Sequence, residues 1–79
     1  MRIDKYLKVS RIIKRRTVAN EACEQERVTI NGKMAKPGTE VKIGDIIEIQ
    51  FGNSNTKLRV TSVADHVAKA DSKEMYELI

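Results

Sequence analysis

The stretch RIDKYLKVSRIIKRRT, residues 2–17, decides how the N-terminal part of the chain folds. At about 100° per residue, its first apolar side chains fall on one arc of a helix and its first basic ones on the opposite arc. The first arc holds the apolar Ile3, Tyr6 and Leu7 together with Ser10, and the basic arc holds Arg2, Lys5 and Lys8. A helix continued past Ser10 would place Ile12 among the cations and Lys14 in the core. The stretch therefore predicts a first helix at about 3–9, followed by a turn.

A second helix is predicted to begin after Thr17, whose hydroxyl can accept a hydrogen bond from a backbone N–H of the first turn. The expected apolar stripe of this helix consists of Val18, Ala19, Ala22 and Cys23. The small side chains on that stripe allow the two helices to approach closely. Arg15 and Arg16 precede the expected cap, so we expect both to project from the junction between the helices.

From Val28 onward the pattern changes to the alternation typical of strands. Asn31-Gly32 is the strongest short-range signal for a two-residue hairpin turn. The predicted strands are 28–30, 33–35, 46–51, 57–63 and a short one within 75–79, with further turns at 37–38, 44–45 and 52–55. Residues 65–74 fit either a loop or a weak helical turn. The sequence thus predicts one α+β domain over 1–79, with two N-terminal helices packed on a small, mostly antiparallel sheet.

The charge of the chain is distributed unevenly. The 79 residues carry 15 basic and 11 acidic side chains, a formal net charge of +4. Residues 1–38 carry +6, whereas residues 39–79 carry −2. Such a concentration of positive charge creates a local field that favours a polyanionic partner. We therefore expect a nucleic-acid-binding surface in the first half.

The candidate contacts are the cations of the first sixteen residues. Arginine grips a phosphate with two parallel hydrogen bonds, whereas lysine acts as a point charge. The expected specific contacts are Arg2, Arg11, Arg15 and Arg16, and the residues expected to set the field are Lys5, Lys8 and Lys14. Lys33, beside the hairpin turn, and Lys36 are secondary candidates. Asp4 is expected near the helix N-terminus or paired with an arginine that it orients.

Few aromatic residues are available to stack on bases. The chain has two tyrosines, one phenylalanine and no tryptophan. We expect Tyr6, Phe51 and Tyr76 to pack in the core. The predicted partner is therefore a folded RNA recognised by its backbone and shape.

Several function classes are excluded by length and composition. A chain of this size leaves little room for a walled substrate pocket, so no enzyme activity is expected. His66 and Cys23 are the only histidine and cysteine, which does not make a metal-ligand set, and no cofactor is expected. The lone cysteine, with no apolar run of membrane-spanning or signal-peptide character, predicts a reduced, cytoplasmic compartment.

Motifs spread over residues 1–52 resemble a known family. They are Arg2-Ile3-Asp4-Lys5-Tyr6-Leu7, Ser10-Arg11, Arg16-Thr17 with Ala19, Val28-Thr29-Ile30-Asn31-Gly32, Pro37, Val41 and Gly44-Asp45. In order and spacing they are similar to the S-four RNA-binding domain, which is named after a small-subunit ribosomal protein. The strand-rich residues 53–79 would then be a C-terminal extension.

The whole chain resembles the short, stand-alone members of that family that act in bacterial ribosome-associated quality control. Residues 8–17 and Met75-Tyr76 carry this closer likeness. The resemblance implies binding to a large ribosomal subunit obstructed by peptidyl-tRNA, with contacts to 23S rRNA and to the tRNA. It also implies support for RqcH, which directs C-terminal alanine tailing of stalled chains. Arg2 and Arg16 are the leading RNA contacts by this resemblance; a monomer is expected, with no DNA or membrane partner.

One departure and two rival functions stay open. The family usually has glycine after the second helix, where this chain has Gln25-Glu26-Arg27, so either the helix ends differently or Glu26 is strained. The first rival is a heat-shock-type ribosome-recycling protein. The second is a protein-interaction module that docks a partner through its acidic second half.

Overall fold

The computed structural model describes residues 1–64 and 74–79 and shows two helices on one face of a five-stranded sheet. The helices are α1 (Ile3–Val9) and α2 (Arg16–Glu24). The strands are β1 (Val28–Ile30), β2 (Lys33–Met34), β3 (Ile46–Phe51), β4 (Ser54–Val60) and β5 (Tyr76–Leu78). The sheet order is β2-β1-β3-β4-β5, and every strand pairing within the described residues is antiparallel. The predicted α+β class and element order are confirmed. The segment 65–74, predicted to be either a loop or a weak helical turn, lies outside the described residues except for Glu74, and so does His66.

Alternating apolar side chains build the sheet side of the core. Cross-strand partners such as Val28 with Ile49 and Ile30 with Ile47 are buried together on the helix side. Asn31 and Gly32 both have positive φ, as a type I′ hairpin requires, which confirms the predicted turn. The β3–β4 turn is tighter than predicted. Because Phe51 already pairs with Ser54, β4 begins at Ser54 and ends at Val60.

The first helix ends where the change of helical phase predicted. Ser10 is buried at the C-cap, and its hydroxyl donates to the carbonyl oxygen of Leu7 at 3.3 Å. Arg11 follows in the left-handed region with φ 63°, and its N–H donates to the carbonyl oxygen of Lys8. Ile13 then returns to the core. The basic run is therefore divided between a helix and a turn.

The start of the second helix differs from the prediction. The helix begins at Arg16, with Arg15 in extended conformation at the N-cap, so Thr17 lies in the first turn and does not cap it. The Arg16 side chain, in the first turn, reaches the Asp4 carboxylate on α1. Val18 was wrongly placed in the core. Ala19 and Cys23 face α1 and the sheet, whereas Val18 lies one residue aside and is largely exposed.

The second helix ends on Glu26, which adopts φ 61°. The N–H of Glu26 donates to the carbonyl of Cys23, and the N–H of Arg27 donates to that of Ala22. These two bonds form a Schellman motif, which favours glycine at its left-handed position. Of the two alternatives, the strained Glu26 is the one observed, at a cost of about 1 kcal/mol.

The core joins the helices to the last strand. Tyr6 is fully buried, as predicted, and its hydroxyl donates to the carbonyl oxygen of Met75 at 2.7 Å. Tyr76 is partly buried against this cluster. The core assignment of Phe51 was wrong, because this residue occupies the last position of β3 and is exposed.

Candidate nucleic-acid interface

A loop anchors the N-terminus of α1, where the leading candidate Arg2 lies. The first helical N–H groups of Ile3 and Asp4 donate to the carbonyls of Thr39 and Pro37. Such groups have no partner within their own helix, so the loop satisfies them. Lys36 belongs to the same loop. Its N–H donates to the Thr39 hydroxyl at 2.9 Å, and this bond closes the loop. Arg2 and Lys36 are thereby held at the same end of α1.

The carboxylate of Asp4 is the centre of the site. It accepts hydrogen bonds from Nη2 of Arg2 at 3.1 Å and from Nη2 of Arg16 at 3.4 Å. It also accepts from Nδ2 of Asn20 at 3.4 Å and from the N–H of Lys5 at 2.8 Å. The carboxylate thus connects the start of α1 to the first two turns of α2. We call Asp4, Arg2, Arg16 and Asn20 the Asp4 cluster.

The ionisation of Asp4 is decided by opposing effects. Burial raises the pKa of its carboxyl, but hydrogen bonds from Asn20 and the Lys5 amide, with the charges of Arg16 and Arg2, outweigh that effect. The net pKa lies below the ordinary value. Asp4 is therefore a stable anion at neutral pH, and the expectation that it orients a neighbouring arginine is confirmed for two arginines.

Both arginines of the cluster remain available to a ligand. The side chains of Arg2 and Arg16 are 52% and 49% exposed, whereas that of Asp4 is 3% exposed. A guanidinium carries five N–H donors, so a single bond to Asp4 leaves most of them free for a phosphate. Two arginines held by one buried anion form a pre-oriented pair.

The other candidate cations lie around this pair. Lys8 is exposed at the last turn of α1, and Arg11, Lys14 and Arg15 are exposed in the turn between the helices. The Lys5 side chain is half-buried, and its backbone joins the Asp4 cluster. Lys33 lies on the edge strand β2, where a lysine also discourages pairing with another chain.

Sequence reasoning did not assign Asn20 to the site. Its side-chain amide donates to Asp4. The available signal is its spacing from Arg16, since residues four apart on a helix project in the same direction. Once Arg16 is assigned to the helix, Asn20 follows on the same face.

The described residues offer little for bond chemistry. Burial, with the charges of Asp4 and Glu24, raises the pKa of the Cys23 thiol to about 11, so this buried group stays protonated at neutral pH. Within residues 1–64 and 74–79, no three His, Cys, Asp or Glu side chains gather as a metal site. No helix in those ranges is long and apolar enough to cross a membrane.

The sequence model of the S4 domain family matches residues 1–47. This is the S-four domain that the motifs resemble. The chain belongs to the S4 domain family. It is 51% identical to the RQC P-site tRNA stabilizing factor of Halalkalibacterium halodurans, covering 99% of this chain and 89% of that protein. It is also 51% identical to the factor of the same name from Streptococcus pneumoniae, covering 100% and 90%. The trimeric structure of Vibrio cholerae Heat Shock Protein 15 superimposes with a TM-score of 0.91 at 28% identity, covering 100% and 81%.

Proposed function

We propose that this protein is an rRNA- and tRNA-binding factor of bacterial ribosome-associated quality control. It binds large ribosomal subunits obstructed by peptidyl-tRNA, contacting 23S rRNA and stabilising the tRNA. It thereby supports RqcH-directed C-terminal alanine tailing of the stalled chain. It acts in the cytoplasm as a monomer and performs no bond chemistry, because peptide-bond formation belongs to the ribosome.

The observation that carries this proposal is the pair of half-exposed arginines held by Asp4. A guanidinium held in a fixed orientation can form two parallel hydrogen bonds to a phosphate, and the buried carboxylate provides that order before any RNA binds. The exposed cations of the inter-helix turn extend the positive field beside the pair. The proposed contacts are Arg2, Lys5, Lys8, Arg11, Lys14, Arg15 and Arg16, with Lys33 and Lys36 at the margin.

The comparisons favour quality control over the heat-shock alternative. Relatives named for stabilising P-site tRNA share about half of their residues with this chain over nearly their whole length. Heat Shock Protein 15 of Vibrio cholerae shares the fold at 28% identity. The close sequence likeness, which includes the helices of the site, therefore supports the tRNA-stabilising role.

The acidic second half gives little support to the protein-docking alternative. On the sheet, Glu48 lies opposite Lys57, and Glu77 forms an ion pair with Arg59. Adjacent opposite charges cancel each other's field at a distance. The exposed positive charge of the described residues is concentrated around α1 and the inter-helix turn.

Co-sedimentation with large subunits tests the proposal. We expect Arg2→Ala and Arg16→Ala each to weaken binding by about tenfold or more, since a hydrogen bond to a charged group contributes about 1.5–3 kcal/mol. Arg59→Ala is the matched control, because its side chain is 48% exposed and also pairs with a carboxylate. The control should pellet with subunits like the wild type.

The salt dependence and the thermal melt complete the experiment. Each lost phosphate contact should reduce the slope of log affinity against log salt by about one. Removing either arginine leaves the buried Asp4 carboxylate with one cation fewer, so both variants should melt below the wild type. Binding measured well below those melting temperatures separates lost contacts from unfolding. If both variants bind as the wild type does, the site is wrong. If the wild type itself does not bind obstructed subunits, the function is wrong.

A further inference from the structure

A cleft between α2 and the end of β3 is lined by apolar side chains that the core leaves exposed. Val18 and Phe51 are 47% and 42% exposed, and both line this cleft together with the buried Ile13. Neither residue was expected at the surface. The structure thus presents an aromatic ring and a branched aliphatic side chain at one opening.

The position of Phe51 explains its exposure. Along β3, Phe51 has the same parity as the buried Ile47 and Ile49, so it projects to the helix side of the sheet. The core buries Ile47 and Ile49 completely, whereas Phe51, at the last position of β3, stays partly exposed beside α2. The ring therefore lies on the same side of the sheet as the core, with room above it.

Polar groups form the rim of this cleft. Arg27, Gln50 and Glu21 line it, and they offer a guanidinium, an amide and a carboxylate. The N–H of Gln50 donates to the carbonyl of Arg27 at 2.9 Å, which ties the end of β3 to the residue after α2. The opening thus combines apolar walls with both donors and acceptors. A nucleobase requires this combination, because it has an apolar face and a polar edge.

The cleft is continuous with the proposed RNA-binding surface. Ile13 belongs to the inter-helix turn, in which Arg11, Lys14 and Arg15 are exposed cations. An RNA backbone that follows these cations passes beside the cleft. Arg27 and Glu21 offset each other within the cleft, so the exposed cations of the turn supply the positive field that favours a nucleotide over an apolar peptide segment at this position.

We propose that this cleft receives one unstacked nucleobase of the bound RNA, whose face stacks on the ring of Phe51. The inference rests on the proposed function. It adds a binding site for an unpaired nucleotide to a surface that otherwise binds phosphates. Arg27 and Gln50 bind the edge of the base. Val18 packs against its opposite side.

A substitution series at Phe51 tests the stacking. In co-sedimentation with obstructed large subunits, we expect Phe51→Tyr to bind like the wild type and Phe51→Ala to bind about tenfold more weakly. Phe51→Leu keeps an apolar side chain without an aromatic face and should bind nearly as weakly as Phe51→Ala. Ile43→Ala removes an exposed apolar side chain that does not line the cleft and is the matched control. Melting temperatures should change little, since Phe51 is not part of the core.

A direct probe uses the fact that Phe51 is the only phenylalanine in the chain. Biosynthetic 4-fluorophenylalanine therefore gives a single ¹⁹F resonance. We expect it to shift on addition of an RNA stem-loop with an unpaired loop, and to stay unchanged with a blunt RNA duplex of equal length.

Three results would overturn the inference. They are Phe51→Leu binding as tightly as the wild type, Phe51→Ala binding unchanged, and a ¹⁹F resonance that moves with a protein partner but not with the stem-loop. Failure of the proposed function looks different, because binding of the wild type to obstructed subunits would then itself be absent.

Discussion

Two arginine–carboxylate groups of similar chemistry lie in different parts of the molecule. In the helix corner, Asp4 is 3% exposed and holds Arg2 and Arg16. On the sheet, Glu77 is 51% exposed and pairs with Arg59 across β4 and β5. The arginines of both groups are about half exposed, so the difference lies in the carboxylate.

The difference shows what burial adds to an ion pair. An exposed pair contributes about 0–1 kcal/mol, because water competes for both partners and two side chains lose freedom. A buried carboxylate must find its hydrogen bonds inside the protein, and Asp4 obtains them from two helices. The Asp4 cluster is therefore part of the fold as well as of the candidate site, whereas the Arg59–Glu77 pair is a surface feature.

The largest expected effect is the difference in stability between two variants, one without the Asp4 carboxylate and one without the Glu77 carboxylate. Breaking a buried pair from one side costs about 3–5 kcal/mol, and the hydration available to the half-exposed arginines places Asp4→Ala near the lower end, at about 3 kcal/mol. Glu77→Ala should cost less than about 0.5 kcal/mol. Urea denaturation monitored by circular dichroism measures both values.

Asp4→Ala should also lower the melting temperature by at least about 10 °C, as expected for a domain of this size. It should weaken binding to large subunits because Arg2 and Arg16 lose their common anchor. Equal stability losses for Asp4→Ala and Glu77→Ala would refute the distinction between the two groups.

The sheet and the first helix were predictable because their signals are local. The Asn31-Gly32 turn and the alternation of β3 concern neighbouring residues, and the end of α1 follows from helical phase alone. At the start of α2, by contrast, Arg16 contacts Asp4, which lies twelve residues away in the sequence. A prediction based on a local capping residue does not include that contact, and it therefore placed the start of the helix after Thr17.

The candidate site was predictable in composition and less so in arrangement. Arg2, Arg16 and the orienting role of Asp4 follow from charge clustering and the family resemblance. Asn20 could not be assigned before the helix start was known. The exposure of Val18 and Phe51 depends on how far the helical layer extends over the sheet, which hydrophobicity alone does not determine.

The second expected effect is a pH dependence that belongs to the buried carboxylate. The pKa of Asp4 is lower in the folded protein than its ordinary value of 3.8, so the folded state binds this proton less readily than the unfolded state. The stabilising contribution is present above about pH 4 and is lost as the pH falls through the folded pKa. Asp4→Asn lacks this titration.

Urea denaturation from pH 6 down to pH 2.5 checks this pH dependence. The stability difference between the wild type and Asp4→Asn should be largest at pH 6 and should shrink below pH 4. Glu77→Gln provides the solvent-exposed control. A difference that stays constant down to pH 2.5 would show that the charge of Asp4 does not stabilise the fold.

The smallest expected effect is the response of each pair to salt. In a double-mutant cycle at low salt, Arg59 and Glu77 should couple by about 0.2–1 kcal/mol. At about 1 M salt the screening length falls to about 3 Å, so this coupling should approach zero. The coupling between Asp4 and Arg16 should keep most of its value, since ions cannot surround a carboxylate that the two helices enclose. If both couplings vanish together, the Asp4 cluster is held by ordinary surface electrostatics, and its arginines are no better ordered for RNA than Arg59.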